Sequence, residues 1–75
     1  MSRYEISTAQ GSAMVRVTDV TDDIQAAAIR GLRRIYKTKT ATLGGALVPV
    51  SGGYEGTACR VGGAVLGRVN VYPRG

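Results

Sequence analysis

Tyr4-Glu5-Ile6-Ser7-Thr8-Ala9-Gln10-Gly11-Ser12-Ala13-Met14-Val15-Arg16-Val17-Thr18 alternates apolar and polar residues on both sides of a glycine. Period-two alternation marks strands with one buried face, and a glycine between two such runs marks a hairpin turn. With Gln10-Gly11 as a two-residue turn, Ala9 meets Ser12, Ile6 meets Val15 and Tyr4 meets Val17, all on one face. Glu5 then lands opposite Arg16, a favourable cross-strand pair. Gln-Gly is a weaker turn signal than Asn-Gly, which leaves room for a loop one residue longer.

Downstream of this hairpin the period changes. Ile24, Ala28, Leu32 and Ile35 recur at helical spacing, so a helix is expected over about 21–36. Thr21 or Asp22 would cap it. Asp22 and Asp23 at its start and Arg33, Arg34 and Lys37 at its end complement the helix dipole. Ala27 and Gly31, beside the stripe, would let it lie close to a sheet.

The rest of the chain contains an internal repeat. Leu43-Gly44-Gly45-Ala46-Leu47-Val48 resembles Val61-Gly62-Gly63-Ala64-Val65-Leu66, with Tyr54 and Tyr72 at matching offsets. Each copy reads as a hairpin with a Gly-Gly turn. Leu43 would pair with Ala46 and Ala41 with Val48; Val61 would pair with Ala64 and Cys59 with Leu66. Beyond Leu66 the apolar phase reverses, and a bulge at Gly67 restores it. Pro49 puts its strand at an edge, or turns its missing donor outward there. The expected fold is therefore α+β: an N-terminal β-hairpin, one central helix, then a Gly-Gly-turn meander of up to four short strands, forming a small sheet or open barrel. The rival for residues 37–75 is a Gly-rich arm that orders only against neighbouring subunits.

Seventy-five residues make a single domain, 1–75, with a thin core. Cys59 is the only cysteine and there is no histidine, so neither an internal disulfide nor a zinc site is expected to reinforce that core. No signal peptide, transmembrane segment or lipidation motif is read, and the expected setting is cytoplasmic or a virion, without membrane insertion. The net charge of +5 divides unevenly: residues 1–23 sum to −2 and residues 24–75 to +7. Such asymmetry suits an acidic partner.

The residues favour binding over catalysis. Without histidine there is no ordinary Ser-His or Cys-His nucleophile pair. Cys59 is expected on the core face as a small hydrophobe. Gly62 to Gly67 has the outline of a phosphate loop but lacks the Lys-Ser/Thr and the following helix. No enzyme activity, cofactor or metal is expected. The positive signal is basic: Arg30, Arg33, Arg34, Lys37 and Lys39 form a ridge for an anionic partner or nucleic acid, with Tyr36 placed to stack on a base. The leading expectation is a non-enzymatic structural or assembly subunit of a homo-oligomer or larger particle, such as a phage virion. Its partners would be copies of itself or other subunits of that particle. The alternative is a small basic nucleic-acid-binding or regulatory module that uses the helix face, or one that docks on an acidic protein surface. A third, weaker expectation is an inhibitor or effector directed at another protein.

Overall fold

The N-terminal alternation becomes two nine-residue strands, β1 (Ser2–Gln10) and β2 (Ala13–Thr21), in a computed structural model that describes residues 2–74. The turn is Gly11-Ser12, one residue later than Gln10-Gly11. Gly11 takes φ +64°, which suits glycine at the first central position of a hairpin turn. The register shifts with it: Ile6 faces Val17, Tyr4 faces Asp19 and Ala9 faces Met14. Because each partner moves by two residues, the facing of every side chain survives. Glu5 now sits diagonally from Arg16, with Nε to Oε2 at 4.0 Å, and directly opposite Thr18.

The helix α1 (Ile24–Ile35) starts three residues inside the expected boundary and ends one residue short of it. Its cap is Asp23, not Thr21 or Asp22. An Asp23 carboxylate oxygen accepts from the amides of Gln25 at 3.0 Å and Ala26 at 3.4 Å. Thr21 Oγ1 instead accepts from the Asp23 amide. Ala27, Ala28, Gly31, Leu32 and Ile35 are buried, so the apolar stripe is the docking face.

Four further strands follow: β3 (Ala41–Leu43), β4 (Val48–Val50), β5 (Gly53–Arg60) and β6 (Val65–Pro73). The antiparallel sheet runs β2-β1-β6-β5-β3, with β4 also on β5, and curls into a half-barrel. The architecture is α+β, with one helix across the curled sheet. The C-terminal strand β6 lies in the middle of the sheet, between β1 and β5.

The two copies of the repeat do different jobs. Gly44-Gly45 is not a hairpin turn. The Gly44 amide donates to the Thr57 carbonyl at 2.8 Å, so the chain keeps running along β5. Residues 44–47 face only residues 56 and 57, which makes β3 and β4 two halves of one bulged edge strand. The bulge tucks Leu47 against Gly56, where an added Cβ would lie 2.8 Å from Leu47 Cδ2. The turn into β5 is Ser51-Gly52, and Pro49 lies on an edge strand as expected.

In the second copy Gly62 and Gly63 do turn the chain, but as part of a three-residue loop, Val61–Gly63. The Arg60 amide donates to the Ala64 carbonyl across it. Cys59 consequently pairs with Val65 rather than Leu66. The register shift between Ala58 and Cys59 leaves Leu66 unpaired, one residue before the bulge expected at Gly67. Tyr54 shares its face with Val71, whereas Tyr72 points to the other side, so the matching tyrosine offsets carry no structural repeat.

The core lies between helix and sheet. Ile6, Leu32, Val69 and Val71 are fully buried, with Ile35 and the small side chains of Ala27, Ala28, Ala41 and Ala58 around them. An added Cβ at Gly31 would sit 2.8 Å from Ile6 Cβ, so the helix approaches β1 as closely as backbone packing allows.

Candidate functional site

The five basic residues expected on the helix do not form one free ridge. Arg30 turns to β2, where it bonds Asp19 Oδ2 through Nε at 2.8 Å and Nη2 at 2.6 Å. Arg34 donates from Nη1 to the Thr18 carbonyl at 2.7 Å. Arg33 reaches the other way, donating from Nε to the Ala41 carbonyl at 3.0 Å. Thr18 and Ala41 lie on β2 and β3, the two outer strands of the half-barrel. Adjacent arginines on one helix thus satisfy carbonyls at opposite edges of the sheet. Edge strands present unpaired carbonyls, and a guanidinium donor is a strong partner for them.

Lys37 and Lys39 follow the helix and are exposed. Lys37 takes φ +54°, the single-residue left-handed step that ends the helix. Tyr36, expected to stack on a base, turns inward. The buried Thr8 hydroxyl donates to the Arg68 carbonyl at 2.8 Å. Its only proton is thereby committed, so the Tyr36 hydroxyl donates to Thr8 Oγ1, at 3.2 Å.

One cation near Lys37 and Lys39 has no helical spacing to reveal it. Arg60 pairs with Ala41 across the ladder, and its Nη1 donates to Thr40 Oγ1 at 3.3 Å. Thr40 and Thr38 share a hydroxyl hydrogen bond at 2.9 Å. The segment 37–40 and the end of β5 therefore meet at one end of the molecule. Only the β3–β5 register shows that juxtaposition, and the incorrect Gly-Gly hairpin concealed it.

Other chemistry-bearing side chains have structural partners. Cys59 is buried, but opposite Thr42 and on the face away from Ala58, so it lies outside the helix-side core. An added Cβ at Gly44 would sit 2.5 Å from its Sγ. Glu5 is held by Arg74 at 3.1 Å as well as by Arg16, and Glu55 by Arg68 at 3.1 Å. Among the described residues there is no pocket, no cluster of three or more His, Cys, Asp or Glu side chains suited to a metal, and no helix long and apolar enough to cross a membrane. No protein-family model, curated protein or solved structure matches the chain.

Proposed function

We propose that the chain is a non-enzymatic structural subunit that works by assembling with copies of itself or with other subunits of a larger particle, such as a phage virion, in the cytoplasm or in that particle. The observation that supports this reading is the distribution of apolar side chains. Val48, Val61 and Val65 are 59%, 68% and 70% exposed, and Met14, Val20 and Val50 are exposed as well. Against these six, the fully buried large aliphatic residues are Ile6, Leu32, Val69 and Val71. A small domain that leaves so much aliphatic surface outside gains from covering it. The open edges of the half-barrel add strand backbone to that surface. The second reading, a basic nucleic-acid-binding or regulatory module on the helix face, keeps Lys37 and Lys39 but shares Arg30, Arg33 and Arg34 with the fold.

The test is the solution mass of the purified chain at micromolar concentration, by sedimentation equilibrium. A defined oligomer is expected, and replacing Val48, Val61 and Val65 by threonine is expected to dissociate it. A well-folded monomer would overturn the assembly reading.

A further inference from the structure

All five carboxylate side chains, Glu5, Asp19, Asp22, Asp23 and Glu55, lie away from the end of the molecule where Lys37, Lys39 and Arg60 meet. Glu55 reaches furthest toward that end, yet it sits five residues before Arg60 on β5 and already pairs with Arg68. At the rise of a β-strand this separation is about 16 Å. Asp23 caps the opposite end of α1. Among the described residues Lys37, Lys39 and Arg60 take part in none of the ion pairs.

We infer that this end, formed by Lys37, Lys39 and Arg60 with the Thr38 and Thr40 hydroxyls, is a docking surface for the phosphodiester backbone of nucleic acid. Three observations select that occupant. First, a second copy cannot neutralise the surface overall, because every copy brings a further +5; an assembly of the kind proposed above accumulates positive charge and needs a foreign polyanion. Second, the Thr38 and Thr40 hydroxyls beside the cations share one hydrogen bond, which leaves one of their two protons to donate to a phosphate oxygen. Third, Gly62 and Gly63 stand beside Arg60 at φ +109° and +111°, with no atom within 4 Å of where a Cβ would project. The loop tip leaves room for a sugar-phosphate backbone to approach. Tyr36 is turned inward, so recognition is of phosphates and indifferent to sequence.

The experiment is a salt titration of binding to a labelled DNA duplex, followed by fluorescence anisotropy. Three phosphate contacts predict that log K falls against log salt with a slope of about −2.7. Lys37→Asn, Lys39→Gln and Arg60→Gln should each flatten the slope by about one unit. Asparagine is chosen at position 37 because it tolerates the left-handed backbone there. Circular dichroism verifies that each variant is folded; Lys39→Gln removes no hydrogen bond shown for the fold and is the decisive single change. Arg16→Gln, on β2, should leave the slope unchanged. Absence of binding at the lowest salt, or a slope untouched by Lys39→Gln, would overturn the proposal. So would polyglutamate competing as effectively as duplex at equal charge, which would assign the surface to an acidic protein. A monomer that binds duplex with the expected slope would sustain this proposal while removing the assembly reading.

Discussion

At the scale of single residues, Gly31 meets Ile6 with no side chain of its own. Alanine is a better helix former than glycine by about 0.8–1 kcal/mol, so propensity alone predicts that Gly31→Ala stabilises. Packing predicts the reverse, because the new Cβ would lie 2.8–2.9 Å from Ile6 Cβ, Cγ1 and Cγ2 in the fully buried core. Overpacking costs about 1–3 kcal/mol, so Gly31→Ala should lower the thermal midpoint. Gly45→Ala makes the contrasting control: nothing lies within 4 Å and its φ is not positive. It should be neutral or stabilise by up to about 1 kcal/mol, read in the same melt. At the start of the helix, Asp23→Ala removes the acceptor for two amides and should cost about 0.5–2 kcal/mol in urea unfolding. A full-strength effect from Asp22→Ala with none from Asp23→Ala would reverse the cap assignment. The need for a cap was visible in the sequence, but its position was not: Thr21, Asp22 and Asp23 all carry a suitable oxygen, and only the chain path chooses between them.

At the scale of elements, the two edge arginines make a sharper claim. Arg33 and Arg34 tie the helix to β3 and β2 through backbone carbonyls, so each holds one side of the half-barrel. Arg33→Ala and Arg34→Ala should each destabilise by roughly 1 kcal/mol, against less than about 0.5 kcal/mol for Lys39→Ala, measured as urea midpoints at constant m. Equal, negligible effects at all three positions would return Arg33 and Arg34 to the free basic surface that their spacing suggests. The helix itself was legible, because a 3.6-residue period with a buried stripe has few alternative readings. The facing of the first hairpin was legible for the same reason, though its turn was not, since glycine fits either central position of a two-residue loop. The Gly-Gly repeat misled because glycine is permissive in both directions. Gly62 and Gly63 adopt positive φ and turn the chain; Gly44 and Gly45 do not, and extend it. Period and composition cannot separate those outcomes. Arg60 was missed with them, because its neighbours come from the β3–β5 pairing that the false hairpin displaced.

At the scale of the whole molecule, the order of the sheet and the sum of the charges decide what the chain does in solution. The C-terminal strand β6 fills the centre of the sheet and contributes Val69 and Val71 to the core. Residues 37–74 are therefore part of the fold and not an arm laid on a neighbour, while residue 75 of the expected arm lies outside the described residues. The radius of gyration, 11.2 Å, matches the roughly 11.3 Å of a compact chain of this length. Assembly of such compact units must then work against their charge. Each copy carries +5, and Lys37, Lys39 and Arg60 are in none of the ion pairs among the described residues. Contacts through exposed valines and strand edges are apolar or neutral, and salt does not weaken them by screening. Repulsion between copies is screened, with a range that falls from about 30 Å at 0.01 M to about 10 Å at 0.1 M. Self-association should therefore tighten as salt rises, opposite in sign to the weakening expected for duplex binding, and sedimentation across a salt series in the absence of nucleic acid measures it directly. A rising oligomer fraction supports an apolar interface opposed by like charge. A falling fraction would mean that the copies meet through opposite charges, with the aspartates near the start of the helix set against the basic end of a neighbour; the valines would then be incidental, and the basic end would be occupied before any nucleic acid reached it.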